Sequence, residues 1–206
     1  DKERPCTSFA VTSAKPSEGK SLTAANIAIS YAMLGKKVLL IDADMRKPTQ
    51  RRLWRVEKPT GLCDFLAKIS KLELDKVKDL PLWIVCTGTI PPNPSELLSS
   101  ERMKHFVEES AKVYDYIIID TPPINTVADA QIVSTYVDGV VLVVKSGDTT
   151  EDELNEAIDA VRRAGGNLCG TVLNDLNMKS VKYAYKYKYG GKYGYKYSYS
   201  ESYEAR

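Results

Sequence analysis

The sequence predicts an α/β fold, with a mostly parallel sheet flanked by helices and a disordered C-terminal tail. Short apolar segments alternate with helical segments along most of the chain, and charged loops follow the strands. With 206 residues, of which 43% are apolar, the chain is long enough for one domain with a full core. We assign residues 1–178 to this domain and residues 179–206 to a tyrosine-rich tail.

The predicted strands and helices alternate in the order that a parallel sheet requires. Strands are predicted at residues 7–12, 37–41, 82–86, 115–119, 139–144 and 168–173. Helices are predicted at residues 20–34, 62–68, 100–112 and 151–164, the last one capped by Thr149 or Thr150. Residues 43–60 are predicted to form a charged functional loop, and residues 90–98 a proline-rich turn. Ligands of such sheets bind at the carboxyl ends of the strands, so the residues that follow each strand are the functional candidates.

Composition excludes several classes of protein and site. The four cysteines are far apart, form no CxxC pair and are expected to be buried reduced thiols. The single histidine, His105, excludes a histidine-based triad or metal cluster. No apolar run is long enough to span a bilayer, and no secretion leader opens the chain. Residues 1–178 carry a net charge of −3 and residues 179–206 one of +5, so a nucleic-acid-binding body is not expected.

A phosphate-binding loop is predicted at residues 14–21, between the first strand and the first helix. Its sequence, AKPSEGKS, fits the pattern GxxxxGK[ST] except that Ala14 replaces the first glycine. Backbone N–H groups at the start of the helix favour a triphosphate, Lys20 reaches the β- and γ-phosphates, and the hydroxyl of Ser21 can bind Mg²⁺. The expected nucleotide-binding residues here are Ser17, Glu18, Gly19, Lys20, Ser21 and Leu22.

Lys15 has two possible roles. In a subclass of dimerising ATPases, a lysine at this position crosses to the nucleotide of the partner subunit. Those loops continue with two glycines, whereas Pro16 and Ser17 follow here. This difference favours a solvated loop residue.

Acidic residues end two of the predicted strands. Asp42 and Asp44 are two residues apart, so in extended backbone both carboxylates face the same side and can serve one metal-phosphate site. Arg46 follows them and can balance their charge. Asp120 ends the strand at 115–119 and is expected on the Mg²⁺ side of the site.

These segments together resemble the bacterial protein tyrosine kinases that work with capsular and exopolysaccharide export. The resemblance rests on AKPSEGKS, LLIDADMRKP, IIIDTPP, GTIPPNPSELL and the terminal tyrosines, and it covers residues 7–203. It implies a P-loop NTPase fold of the MinD/ParA-like branch, with ATP and Mg²⁺ as cofactors. It also implies Asp44 as the base for the tyrosine hydroxyl and Asn174 as an adenine contact. Lys20, Asp42, Asp44 and Arg46 would form the catalytic set, and Ser21, Asp42 and Asp120 the metal set.

The resemblance also implies partners and a location. A membrane adaptor of the polysaccharide co-polymerase type would activate the kinase through its cytoplasmic tail and recruit it from the cytoplasm to the inner face of the plasma membrane. A cognate tyrosine phosphatase would reverse its action. Relatives build a ring of subunits with an ExxRxxR helix that is not found in this chain, so a homo-oligomer is possible but its form is open.

The tail contains nine of the thirteen tyrosines and has three possible roles. It could be an exposed strand, a low-complexity segment that binds anions or stacks on bases, or a set of phosphate acceptors. The upstream catalytic residues favour acceptors, which are Tyr183, Tyr185, Tyr187, Tyr189, Tyr193, Tyr195, Tyr197, Tyr199 and Tyr203. The alternative functions are a MinD/ParA-like ATPase switch without kinase activity and a nucleotide-binding scaffold. The ATPase switch gives no reason for the tyrosines, whereas in the scaffold the tail would serve as a docking strip.

Overall fold

A computed structural model describes residues 6–176 of the chain. The predicted tail and its nine tyrosines lie outside these residues. The strands are β1 (Ser8–Ser13), β2 (Val38–Asp42), β3 (Asp75–Lys76), β4 (Leu82–Val85), β5 (Tyr116–Asp120), β6 (Gly139–Lys145) and β7 (Leu168–Asn174). The helices are α1 (Lys20–Met33), α2 (Gln50–Trp54), α3 (Leu62–Leu66), α4 (Pro94–Ser99), α5 (Glu101–Ser110), α6 (Asp129–Ser134) and α7 (Glu151–Arg163).

The strands form one seven-stranded sheet in the order β3-β4-β2-β5-β1-β6-β7. All neighbours are parallel except the short β3, which pairs antiparallel to β4 at one edge. β5 lies between β1 and β2, so the carboxyl ends of these three strands meet at the same end of the sheet. The predicted α/β fold with a mostly parallel sheet flanked by helices is confirmed.

The core consists of two apolar layers, one on each face of the sheet. Leu39 and Ile41 of β2 pack into one layer, while Val38 and Leu40 of the same strand pack into the other. Alternation of this kind follows from the two-residue period of a strand, and burial on both faces explains the continuous apolar run. The small alanines of α1, Ala24, Ala25, Ala28 and Ala32, let this helix lie close against the sheet. A rigid sheet therefore holds the strand ends where the functional residues lie.

Four elements differ from the sequence-based expectation. Residues 43–60 were expected as a loop, but they contain α2, whose first residues donate backbone N–H groups to the buried carboxylate of Asp42. The proline-rich turn contains α4, which has Pro94 at its first position, where the missing N–H costs nothing. The short α6 and the edge strand β3 were not predicted. Thr150, rather than Thr149, caps α7, in a reciprocal capping box with Glu153.

The expectation that all cysteines are buried is wrong for two of them. Cys63 and Cys86 are buried, and burial raises the pKa of each thiol to about 12. Cys169 is exposed on β7 and Cys6 is half-buried, with their sulfur atoms 4.0 Å apart. The fold brings these two together because β1 and β7 flank the same strand, in which Gly139 leaves room for both sulfurs. All four thiols are free.

Among the helices of residues 6–176, none combines the length and the apolar character needed to cross a membrane.

Candidate active site

The phosphate-binding loop connects the end of β1 to the first residue of α1. Its conformation depends on Ser17 and Gly19, whose φ angles of 68° and 89° lie in the left-handed region. A Cβ atom at Gly19 would also overlap the amide nitrogen of Asn174, so this position requires glycine for two reasons. α1 has no acidic residue in its first turn, so no residue of that turn compensates the positive end of its dipole. The loop is suited to bind an anion.

The side chains of Glu18 and Asn174 hold this loop by hydrogen bonds on its protein-facing side. Glu18 is fully buried; its carboxylate accepts hydrogen bonds from the backbone N–H of Lys15, at 2.9 Å, and from the hydroxyl of Thr149. Asn174 donates from Nδ2 to the backbone oxygen of Glu18 at 2.9 Å. The side chain of Glu18 therefore points into the protein, and the predicted contribution of this residue to nucleotide binding is left to its backbone. The predicted adenine contact of Asn174 stays a prediction.

Lys15 is not simply solvated. Its ammonium group donates to both carboxylate oxygens of Glu153, at 3.1 and 3.3 Å, and to the backbone oxygen of Asp148 at 2.9 Å. These contacts hold it against the start of α7, with its side chain 30% exposed. The prediction of a solvated loop residue fits the partial exposure of Lys15, and acidic residues that follow β6 add contacts that the sequence did not indicate.

Three carboxylates and one lysine form a buried cluster at the ends of β2 and β5. Asp42 and Asp120 are directly opposite each other in the register of these strands. Lys20 Nζ lies 2.7 Å from Asp44 Oδ2 and 3.6 Å from Asp120 Oδ1. It also donates to Ser21 Oγ at 3.2 Å. The sequence-predicted Lys20, Ser21, Asp42, Asp44 and Asp120 are thus brought together.

The charges in this cluster shift one another's pKa values. Burial, the Asp120 carboxylate and the Asp44 carboxylate raise the pKa of Asp42 to about 8, although backbone N–H donors oppose the shift. Burial also raises the pKa of Asp120, against the opposing effect of Lys20. Burial alone would lower the pKa of Lys20, but the neighbouring carboxylates outweigh it and raise this pKa above 10.5. Lys20 is therefore protonated and is the main partner of the carboxylates.

Gln50, which sequence reasoning missed, links the parts of the cluster. It is fully buried, and its Nε2 donates to the backbone oxygen of Ser21 and to Asp120 Oδ2, each at 2.9 Å. Its backbone N–H donates to Asp42 Oδ2 at 2.9 Å. Gln50 thereby ties α2 to the phosphate-binding loop and to both strand-end carboxylates. In the sequence, Gln50 follows Thr49 in a charged segment, and no pattern in the neighbouring residues indicates these contacts.

Arg46 has Asp129 as its main partner, although the charge of Asp44 also contributes to raising the pKa of Arg46. It forms an ion pair with the buried Asp129 at the start of α6, with Arg46 Nε 2.8 Å from Asp129 Oδ2. Ser95 donates to the other oxygen of Asp129 at 2.5 Å. Lys20, rather than Arg46, is the ion-pair partner of Asp44. Arg46 nevertheless lines the active-site cavity, so the predicted catalytic role stays open.

A cavity of about 480 Å³ opens over the phosphate-binding loop. Lys20, Ser21, Asp44 and Arg46 line it, while Asp42, Asp120 and Asn174 are not among its lining residues. Apolar surface dominates the rest of the wall and comes from Pro16, Leu22, Leu53, Pro122, Pro123 and Val127. The cavity therefore combines one polar corner at the start of α1 with apolar sides.

The donor set fits a divalent cation that is shared with a phosphate. Asp120 Oδ1 is buried and has no hydrogen-bond partner among the described residues, and Ser21 Oγ lies close to the same cluster. Within residues 6–176 no group of three His, Cys, Asp or Glu side chains forms a cage for a metal. Mg²⁺ suits such a site, because it is usually held by one or two protein oxygens together with substrate phosphates.

Comparisons with known proteins agree with this geometry. The family described as "AAA domain" matches residues 7–167. The tyrosine-protein kinase YwqD of Bacillus subtilis is 44% identical over 89% of this chain and 78% of its own length. The putative tyrosine-protein kinase CapB of Staphylococcus aureus is 39% identical over 86% of this chain and 79% of its own length.

Solved structures show the same relationship. The chimerical protein CapA2B2 superposes with a TM-score of 0.81 at 38% identity, covering 84% of this chain and 78% of that one. The kinase domain of Escherichia coli tyrosine kinase ETK also gives 0.81, at 32% identity, covering 92% and 72%. The septum site-determining protein MinD of Pyrococcus horikoshii gives 0.72 at 20% identity over 84% of this chain and 72% of that one, which shows a shared fold only.

The fold and the phosphate-binding loop define a nucleotide-binding protein of the AAA-domain class, with a fold like that of MinD. Within this class, the relatives at about 40% identity decide the family. The chain belongs to the bacterial tyrosine-protein kinases of capsule and exopolysaccharide synthesis, and it is a tyrosine-protein kinase.

Proposed function

We propose that the buried cluster of Lys20, Ser21, Asp42, Asp44 and Asp120 transfers the γ-phosphoryl group of ATP to tyrosine hydroxyls, those of residues 183–203 included. The observation that supports this most strongly is the 2.7 Å ion pair between Lys20 and Asp44, inside a cavity at the start of α1. It places a phosphate-binding cation next to a carboxylate that can accept a proton.

Lys20 and the backbone N–H groups of residues 17–22 bind the β- and γ-phosphates of ATP. In doing so, Lys20 exchanges its contact with Asp44 for a phosphate contact, which frees Asp44 Oδ2. Asp44 then accepts the proton of the tyrosine hydroxyl while the phenolic oxygen bonds to the γ-phosphorus and the bond to ADP breaks. Occupation of the phosphate site and release of the base are therefore coupled.

Mg²⁺ is the cofactor that these residues fit, with Ser21 Oγ and Asp120 Oδ1 as the groups that would hold it. Bound there, it would neutralise the charge of the phosphate oxygens. Asp42 holds the start of α2 through Thr49 and Gln50 with one carboxylate oxygen. We therefore propose that Asp42 does not bind the metal directly as Ser21 and Asp120 would. It would orient the site or contact a metal-bound water.

The acceptor is a tyrosine because the cavity has apolar walls beside its polar corner. Leu22 and Leu53 line it although they are 53% and 41% exposed. A phenol ring can cover such surface while its hydroxyl points towards Asp44. The nine tyrosines at residues 183–203 are the acceptors that this chain supplies, and transfer between two copies is possible.

The remaining assignments rest on the family. We propose that a membrane adaptor of the polysaccharide co-polymerase type activates the kinase at the inner face of the plasma membrane, and that a cognate tyrosine phosphatase opposes it. The E. coli relative etk is 37% identical, and the matched region is only 24% of its length, so most of that relative lies outside the match. A homo-oligomer fits transfer between subunits.

Asp44→Asn tests the assigned base. We expect nucleotide binding to persist, because Lys20 and the loop remain, while the rate of tyrosine phosphorylation falls about 10²- to 10⁴-fold through loss of the general base. Binding of a fluorescent ATP analogue and intact-mass detection of phosphotyrosine give the two readouts. Asp152→Asn, an exposed substitution on α7, is the matched control.

Two outcomes would contradict the proposal. If Asp44→Asn transfers phosphate at the wild-type rate, Asp44 is not the base. If the wild-type protein hydrolyses ATP steadily without forming phosphotyrosine, in the presence of an activating adaptor fragment, a MinD-like ATPase switch is the better account.

A further inference from the structure

A second cavity of about 400 Å³ lies beside the active-site cavity. Its lining residues are Pro48, Arg51, Arg52, Thr87, Gly88 and Ile90. The wall between the two cavities is a single segment of chain: Lys47 and Thr49 line the first cavity, and Pro48 between them lines the second. Arg52 lines both. A ligand that extends from one cavity into the other would therefore pass Arg52.

The lining of the second cavity combines apolar surface with two arginines. Ile90 is 58% exposed at its rim and, with Pro48, offers a surface for an aromatic ring. Arg51 is fixed by hydrogen bonds to the backbone oxygens of Val56 and Glu57 at 3.2 and 3.1 Å. Neither arginine takes part in an ion pair among the described residues. Apolar surface beside unpaired guanidinium groups suits a phosphorylated phenol.

The tail tyrosines are regularly spaced along the sequence. From Tyr183 to Tyr203, every gap between consecutive tyrosines is two or four residues. In extended backbone these gaps correspond to about 7 and about 13 Å, and all the rings point to one side. Because the two cavities share Arg52 and are separated by one segment of chain, we expect two nearby tyrosines of one peptide to reach both of them.

We propose that the second cavity binds a phosphotyrosine already formed two or four residues from the tyrosine in the first cavity. This inference rests on the proposed role of residues 183–203 as acceptors. Charge supports it, because Lys47 and Arg52 at the first cavity repel the lysines between the tyrosines. Each phosphate adds about −1.5 to −2 charges and reverses that repulsion. The first phosphorylation of a tail is then slow, and the later ones are faster.

Peptides that cover residues 182–189 test the proposal with the full chain as the enzyme. Tyr185 is the sole acceptor, the other tyrosines are replaced by phenylalanine, and phosphotyrosine is placed at position 183, 187 or 189. We expect at least one of these phosphopeptides to have a KM about tenfold lower than the peptide without phosphate, because charge-assisted contacts with arginine are strong.

The KM of the peptide without phosphate is divided by the KM of each phosphopeptide, and this ratio is measured in wild-type protein and in two variants. Ile90→Glu places a carboxylate at the rim, and Arg51→Gln removes a guanidinium group; each is expected to bring the ratio close to one. Arg163→Gln removes an exposed arginine of α7, outside both cavities, and is expected to keep the wild-type ratio.

The proposal is overturned if wild-type protein shows no preference for any phosphopeptide, or if the preference survives Ile90→Glu. It is also overturned if glutamate in place of phosphotyrosine gives the same gain, since the cavity would then bind anions in general. These outcomes differ from a failure of the proposed kinase function, in which no peptide would be phosphorylated at all.

Discussion

At the scale of single residues, Asp42 lies beside Asp120 at the end of the sheet and is fully buried. Its carboxyl has a pKa of about 8, far above the ordinary value of 3.8. The folded state therefore binds this proton more tightly than the unfolded state does. The resulting contribution to stability is complete below about pH 4 and is lost as the pH rises through about 8. Asp120, whose pKa is also raised, acts in the same direction.

Asp42→Asn is expected to flatten the decrease in stability between pH 5 and pH 8, because it removes a buried carboxyl whose pKa is raised to about 8. Urea unfolding at several pH values, followed by circular dichroism, gives the slope for each protein. Asp152→Asn on the surface should keep the wild-type slope. An unchanged slope in Asp42→Asn would show that Asp42 is not the protonated member of the cluster.

Sequence reasoning found the residues whose position relative to a strand is informative. Asp42 and Asp120 end strands, Asp44 follows one and Lys20 opens a helix. Parallel strands bring such positions together. Gln50 could not be found in this way. Its contacts reach Ser21 and Asp120, which are 29 and 70 positions away in the chain, and only the packed structure brings them together.

At the scale of elements, the phosphate-binding loop depends on the packing of Gly19 against β7. Gly19→Ala is expected to weaken ATP binding by at least about tenfold, since the added methyl group would force φ out of the left-handed region and would overlap Asn174. Gly35→Ala is the matched control: its φ of 78° imposes a similar backbone strain, but nothing lies within 4 Å of its added methyl group. Equilibrium binding of an ATP analogue to both variants checks the prediction. Equal loss of binding in both would show that the contact with Asn174 does not matter.

The long elements followed from sequence, whereas among the described helices of five or six residues only α3 was predicted. The apolar runs of β2, β5 and β6 and the periodic pattern of α7 were predictable because many residues contribute to each signal. α2, α4 and α6 have five or six residues each, too few for a pattern or for stability on their own. Tertiary contacts hold them, such as the carboxylate of Asp42 at the start of α2 and the Arg46–Asp129 ion pair at the start of α6.

At the scale of the whole molecule, the fold alone does not decide between a kinase and an ATPase switch. MinD has this fold at 20% identity, and the phosphate-binding loop is common to many nucleotide-binding proteins. The similarity to tyrosine-protein kinases and the tyrosines at residues 183–203 favour a kinase over an ATPase switch. The central claim is therefore that one chain supplies both a phosphoryl-transfer site and its acceptors.

Mapping of phosphate on the full chain tests this claim most directly. The protein is incubated with Mg²⁺–ATP and an activating adaptor fragment, and tandem mass spectrometry then locates each phosphate. We predict successive additions that fall on tyrosines 183–203 in wild-type protein, and none in Lys20→Met, which lacks the phosphate-binding cation. Steady ATP hydrolysis with no phosphotyrosine in that segment, or equal phosphorylation of Lys20→Met, would contradict the account.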